Sequence, residues 1–328
     1  MLQQTQVKTV LPYWERWMQA LPTIAALARA RPRKVHKLWE GLGYYTRVRN
    51  LQRAATVIQA EHGGKFPHKF EDILALPGIG RYTAGAICSI AFNEPRPILD
   101  GNVIRVLTRL FGVEDNPRTP AVNETLWSLA ESLVCHASRI TRPSSEGSPK
   151  EGHTSSFNQS LMELGALVCT PKAPRCGDCP LKSECIAFRT GRIDKLPNLP
   201  ARGKPTQRRF AAFVAERSGR FLVRQRPEGV VNAHLWEFPN VELVCGNGDV
   251  RHFAQSILGT GPIAFEPLCT IKHSITRYRI TLEAYRILGK YRFRKTKGQQ
   301  SARWYAPGEL RKLPFTSAHK RILDLVAG

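Results

Sequence analysis

Four cysteines, Cys169, Cys176, Cys179 and Cys185, are spaced C-x6-C-x2-C-x5-C. Four thiolates that close together in one short loop form a ligand set for a metal centre. A tetrahedral zinc site usually divides its ligands into two C-x2-C pairs. Here one pair is that tight and the outer two ligands sit on longer arms. Such a loop suits a cubane iron–sulfur cluster, 4Fe-4S, better than a single ion. A disulfide pair or buried free thiols is the plainer alternative. Upstream stand Leu76-Pro77-Gly78-Ile79-Gly80 and Asp100. Two glycines around one apolar residue make a tight turn with bare backbone, whose amides at a helix start can meet a phosphate. Leu76 and Ile79 would pack the flanking helices, and an ordinary helix–helix turn would use the same residues. Asp100 precedes an apolar-periodic helix, so it reads first as an N-cap. The helix dipole favours negative charge there, so the carboxylate could also face a cation that develops in a reaction.

The elements that position these groups change character along the chain. Residues 1–190 read as helical. Apolar residues recur at helical spacing at Val10, Leu11, Trp14, Trp17, Met18 and Leu21. They do so again at Val35, Leu38, Trp39 and Leu42, and from Leu51 to Ile58. Breaks fall at Pro22, Gly41 to Gly43, Gly63-Gly64 and Pro77-Gly78. Ser138 to Ser156 is rich in Ser, Pro, Gly, Lys and Glu and reads as a mobile surface loop. Residues 191–208 carry Pro197, Pro200 and Pro205 among basic residues, as a linker would. From 209 to 328 the period shifts. Phe210–Ala215, Phe221–Val223 and Tyr278–Tyr285 read as strands, and Phe253–Leu258 and Ala318–Val326 as short helices. The fold class is therefore multi-domain: an all-α domain followed by a smaller α+β domain.

Lys and Arg total 49 against 26 Asp and Glu in 328 residues, a formal charge of +23. That excess favours a polyanion, and nucleic acid is the default partner. A hydrophobic content of 42% implies a real core. No run of about 18 apolar residues exists to span a membrane. The N-terminus lacks a basic leader followed by an apolar run. Cys88, Cys135, Cys245 and Cys269 are scattered without a disulfide framework, which points to a reducing cytosol.

Taken together, the hairpin, Asp100 and the four-cysteine loop resemble the helix-hairpin-helix superfamily of base-excision DNA glycosylases. Residues 1–190 resemble the MutY-type adenine DNA glycosylases. The segments that carry this likeness are Met1 to Val7, Gly41-Leu42-Gly43-Tyr44-Tyr45, the hairpin, Ile98 to Val103, and Phe157-Asn158-Gln159. The resemblance implies a monofunctional DNA N-glycosylase of base-excision repair. It would hydrolyse adenine from double-stranded DNA where adenine is mispaired with 8-oxoguanine or guanine. Position 82 separates subfamilies: endonuclease III-like members carry a lysine there that attacks the sugar, and this chain has Tyr82. Tyrosine cannot form that Schiff base, which disfavours a bifunctional pyrimidine glycosylase/lyase. In the implied chemistry the adenine is flipped out of the stack. Asp100 stabilises an oxocarbenium-like sugar, and Tyr82 and Asn102 position sugar, carboxylate and water. Gln4, Thr5, Leu42 and Tyr44 match residues that wedge into the duplex and support the partner base. Leu76, Gly78 and Gly80 match the phosphate-binding hairpin. Outside the resemblance, Gln4 would be a solvated helix position and Tyr44 an exposed loop aromatic. The resemblance further implies a 4Fe-4S cluster on Cys169, Cys176, Cys179 and Cys185, with Lys172, Arg175 and Lys182 near the phosphate backbone, and a monomer at a bacterial nucleoid.

Phe221 to Pro227 and His234-Leu235-Trp236-Glu237-Phe238-Pro239 resemble the nudix-like domain attached to that family. A nudix hydrolase needs a carboxylate-rich helix for magnesium, and Val241 to Leu258 offers only Glu242 and Asp249. The domain is expected to recognise rather than hydrolyse. The family's Phe-Ser-His reading loop is matched by Ile275-Thr276-Arg277, so Thr276 keeps a hydroxyl and Arg277 could donate to a base edge or phosphate. Arg277 could equally be a solvated strand charge, and the basic run Tyr291 to Lys297 a solvated face. The family's catalytic glutamate lies two positions before the residue matched by Met1, and Glu15 and Glu40 are the nearest acids present. Met1 is therefore expected to be an internal methionine. Excision by this chain as it stands is expected to be impaired, and a non-catalytic DNA mismatch- or lesion-binding protein is the alternative.

Overall fold

The computed structural model describes the chain except residues 4, 140–152, 202, 244–249, 252, 253, 256–263 and 289–301. Most of the expected surface loop, the basic run Tyr291–Lys297, Cys245, Asp249 and most of the expected helix Phe253–Leu258 lie outside the described residues. The two ends of the expected loop are helical rather than irregular: Ser138 lies in the last turn of one helix, which ends at Arg139, and Thr154 opens the next. The chain folds as two compact units, residues 1–60 with 203–328, and residues 61–202. Among the described residues, no helix is long and apolar enough to cross a membrane.

In the first unit, α1 (Val7–Ala20), α2 (Ile24–Arg29), α3 (Pro32–Leu38) and the start of α4 (Thr46–Glu61) enclose one apolar cluster. Trp17, Leu21, Val35, Trp39, Leu42, Tyr45 and Val48 form it, and Leu235 from the C-terminal part joins them. Trp17 and Trp39 meet edge to face with ring centres 5.7 Å apart, a preferred aromatic geometry. The C-terminal part holds a four-stranded sheet in the order β5-β1-β7-β6. These strands are β1 (Thr206–Val214), β5 (Asn240–Glu242), β6 (Ala264–Ile275) and β7 (Tyr278–Leu288). β1 runs parallel to β7, and β6 and β7 form an antiparallel hairpin that turns at Thr276-Arg277. A smaller sheet joins β3 (Arg220–Gln225) to β2 (Glu216–Arg217), β4 (Trp236–Glu237) and β8 (Arg303–Tyr305). Side chains alternate along β1. Ala212 and Val214 enter one core, and Ala211 and Phe213 enter the other. Both faces of the strand are thus covered.

The second unit is helical: α5 (Phe70–Ala75), α6 (Arg81–Phe92), α7 (Gly101–Leu110), α8 (Pro120–Arg139), α9 (Thr154–Glu163) and α10 (Ile186–Arg189). Val103, Val106 and Leu107 of α7 pack with Leu126, Trp127 and Ala130 of α8 and Leu161 of α9. This cluster holds the start of α7, and with it Asp100, against the rest of the unit.

Candidate functional site

The hairpin between α5 and α6 is built as its residues require. Gly78 takes φ +81°, which a side chain would strain. The Ile79 amide donates to the Leu76 carbonyl at 3.1 Å, closing the turn. Gly80 is the N-cap of α6. Gly78 and Gly80 are exposed, and a Cβ placed on Gly80 would meet nothing within 4 Å. The first-turn amides of α6 are thus approachable at their bare glycine. Leu76 is 2% exposed, so its side chain packs the fold, while Ile79 joins Ile73, Ala84 and Cys88.

Asp100 caps α7. Its Oδ1 accepts from the amides of Asn102 at 2.9 Å and Val103 at 2.8 Å, and its Oδ2 accepts from Asn102 Nδ2 at 3.2 Å. The carboxylate is pinned on one oxygen and half-buried, with the other held by a side-chain amide. Tyr82, on the first turn of α6, is half-buried and its hydroxyl donates to Met162 Sδ at 3.5 Å. Burial and, after it, the Asp100 charge push its phenol pKa up. The structure therefore brings Asp100, Asn102 and Tyr82 within electrostatic reach of one another.

Two buried arginines tie this site to the cysteine loop. Arg105 donates from Nη2 to Asn102 Oδ1 at 2.9 Å and to the Gly165 carbonyl at 2.7 Å, and from Nε to the Cys169 carbonyl at 2.7 Å. Arg109 donates to Cys169 Sγ at 3.4 Å and to the Thr170 and Leu196 carbonyls at 2.8 Å. Both face into the unit, at 8% and 3% exposure. The sequence reading passed over them. The available signal was two arginines four residues apart inside a mostly apolar helix. A π-helical turn, Leu164–Val168, leads into Cys169. It passes so close to α7 that a Cβ on Gly165 would lie 2.7 Å from Asn102 Cβ.

Cys169, Cys176, Cys179 and Cys185 line one small pocket of about 30 Å³ together with Arg109, Lys182 and Phe188. All four are free thiols. Burial pushes the Cys176 thiol up, Cys169, Cys179 and Cys185 add to the rise, and Arg109 opposes it. Among the described residues, no three or more His, Cys, Asp or Glu side chains stand where they could hold a metal ion. The donor set is nevertheless all thiol, around a shared pocket, and its chemistry fits a cubane cluster. Lys172, Arg175 and Lys182 are exposed around it.

The other predicted residues lie in the first unit. The loop Gly41–Tyr45 carries positive φ at Gly41, Gly43 and Tyr44, and Tyr44 is 55% exposed at +48°. That conformation is a genuine outlier for a bulky residue. Leu42 is buried in the Trp17–Trp39 cluster. Thr5 accepts from Arg47 at 3.0 Å, and Gln4 lies outside the described residues. Thr276 sits at the tip of the β6–β7 hairpin at φ +50°, its hydroxyl donating to the Ile275 carbonyl at 2.8 Å. Arg277 is exposed and donates to the Tyr278 hydroxyl at 3.0 Å. Tyr44 and Thr276 line the same cleft of about 520 Å³, with Arg49, Arg208 and Arg226. Glu15 is exposed on α1. Glu40 is engaged: it accepts from the Phe315 amide at 2.6 Å and pairs with Lys37 at 2.5 Å. Glu242 pairs with Arg208, which lowers its carboxyl pKa.

Residues 1–132 match the family model of HhH-GPD superfamily base excision DNA repair proteins, and residues 211–325 match the NUDIX domain. The chain is 35% identical to the adenine DNA glycosylase of Rattus norvegicus over 374 residues, covering 98% of this chain and 69% of that protein. It is 33% identical to the adenine DNA glycosylase of Homo sapiens, covering 100% of this chain and 67% of that protein. A solved thermostable thymine-DNA glycosylase aligns at TM-score 0.49 and 26% identity, over 58% of this chain and 80% of that one. The two family matches make the fold a helical base-excision domain followed by an α+β nudix-like domain. Because these alignments span nearly the whole chain, at 35% and 33% identity, the chain belongs to the family of adenine DNA glycosylases.

Proposed function

We propose that this protein is a monofunctional glycosylase that removes adenine mispaired with 8-oxoguanine or guanine in double-stranded DNA. The observation that carries the reading is Asp100, whose carboxylate is fixed by two backbone amides and by Asn102 beside Tyr82. Breaking the bond between sugar and adenine leaves positive charge on the sugar. A carboxylate already oriented toward that charge stabilises it without reorganising. Asn102 fixes the second oxygen, and Arg105 fixes Asn102. Tyr82 has no amine to capture the sugar, so water completes the hydrolysis and the strand stays intact. The exposed glycines of the hairpin, with Lys172, Arg175 and Lys182, would neutralise phosphates. Thr5, Tyr44, Thr276 and Arg277 would read the mispair, Tyr44 and Thr276 from a shared cleft. Cys169, Cys176, Cys179 and Cys185 would hold a 4Fe-4S cluster, which when bound supplies structural and electrostatic support.

The test is excision by the native protein on duplexes carrying A:8-oxoG, A:G and A:T, with borohydride present. Adenine release from the two mispairs, an abasic product and no covalent trapping is the expected result. Efficient trapping with strand cleavage would overturn it, and mispair binding without release would move the protein to a non-catalytic reader. The intact mass of the same sample is measured alongside, since a glutamate ahead of Met1 would supply the acid for the leaving base. Anaerobically purified protein should carry iron and sulfide near about four each. One zinc in their place would reject the cluster.

A further inference from the structure

One side chain joins the two segments that frame the exposed Tyr44. The Arg47 guanidinium donates from Nη1 to the Met1 carbonyl at 2.9 Å, to the Gln3 carbonyl, and to Thr5 Oγ1 at 3.0 Å. From Nη2 it donates to the Leu42 and Gly43 carbonyls, each at 3.2 Å. Its charge lies 5.3 Å from the Trp39 ring centre and 5.6 Å from that of Tyr44. Trp39 Nε1 donates to the same Gly43 carbonyl at 3.0 Å. The Arg47 Nε is buried without a partner. A lost hydrogen bond of that kind is costly, so the side chain is held by the demands of its two terminal nitrogens. Those nitrogens are turned to carbonyls of the chain, which is the opposite of what a phosphate contact requires.

We propose that Arg47 is a positioning residue that ties Met1, Gln3 and Thr5 to the Gly41–Tyr44 loop as one rigid wedge, and so sets discrimination of the mispair. The proposal rests on the reading above for its consequence, and on geometry alone for the lock. The loop has reason to need one. Tyr44 stands in a disfavoured left-handed conformation while presenting its ring outward, and such strain persists only where the surroundings over-determine it. A planar fork can serve both segments at once. A lysine carries the charge but lacks that geometry.

Arg47→Lys and Arg47→Ala are compared with the unaltered protein in two measurements. Hydrogen exchange on the free protein reads the lock itself. Amides of 41–46 should lose at least tenfold protection in both variants, while β1 and β7 keep theirs. Equilibrium binding at fixed salt reads the consequence. Arg47→Lys should weaken binding to an A:8-oxoG duplex at least tenfold and binding to a fully paired duplex less than twofold. Unchanged exchange at 41–46 would overturn the lock. Equal loss on both duplexes, or full rescue by lysine, would mean that Arg47 acts as a charge and would overturn the positioning role. If the unaltered protein did not distinguish the duplexes, the proposed function would fail, and the exchange result would still decide the lock.

Discussion

Asp100 carries two loads that separate by substitution. As N-cap it accepts from the amides of Asn102 and Val103, and as a carboxylate it brings the charge that the proposed hydrolysis uses. Asparagine caps helices about as well as aspartate, whereas alanine costs about 1 kcal/mol. Asp100→Asn should therefore leave the urea midpoint nearly unchanged while single-turnover adenine release falls by roughly 100-fold or more. Asp100→Ala should lose both. Normal turnover by Asp100→Asn would show that charge at this position is not part of the chemistry. Much of this site was legible in the chain, because a cap, a glycine turn and a cysteine spacing are all local. The two arginines behind it were not. The spacing of Arg105 and Arg109 on a largely apolar helix hints that they turn inward but does not name their partners, since the accepting carbonyls lie some 60 residues away.

At the scale of elements, the π-helical turn Leu164–Val168 joins the Asp100–Asn102 cap to the cysteine loop. It supplies the Gly165 carbonyl to Arg105, and it ends at Cys169. Gly165 is the position where backbone approaches Asn102 too closely for any side chain. In Gly165→Ala the new methyl would force α7 and the turn apart, at about 1–3 kcal/mol as for other overpacked sites. The displacement falls on Asn102 and Cys169 together. The variant should therefore lose thermal stability and adenine release, and should also retain less iron after aerobic purification. A variant that lost stability but kept its iron and its rate would show that the turn is only a packing element. A π-turn of this kind is invisible to a helical reading, because its apolar residues continue the pattern of α9 (Thr154–Glu163). The pairing of residues 1–60 with the C-terminal strands was hidden for a similar reason. Its anchor, Leu235, is one apolar residue in a connecting segment, and only the structure shows it at 0% exposure among Trp17, Trp39 and Val48.

At the scale of the molecule, the proposed reading residues and the proposed hydrolytic residues fall in different compact units, and pH should act first on the reading one. That unit buries two neutral histidines. Burial, then His234 and Arg49, lower His36 to about 4. Burial lowers His319 to about 4 as well; Glu237 opposes the shift, while Arg226, Arg224 and His273 add to it. Unfolded, each histidine takes up a proton near about 6.5. Between pH 6.5 and 4 the unfolded state binds more protons, so stability rises with pH across that window and is complete above it. Acidification therefore removes stability, on the order of a few kcal/mol at pH 4 for the two groups together. Glu237 acts in the same direction. Burial pushes its carboxyl up, but His319, then Arg224 and Arg226, together outweigh burial and lower it, so its contribution also fades as pH falls. Five of the six tryptophans, Trp14, Trp17, Trp39, Trp236 and Trp304, belong to this unit, so their emission reports its unfolding in urea. The midpoint should drop steadily from pH 6.5 to pH 4. In His319→Asn, where an amide oxygen can still accept from the Phe238 amide that now donates to Nδ1 at 3.1 Å, the slope should be shallower. A slope unchanged in His319→Asn and in His36→Asn would mean that neither histidine is held neutral by the fold.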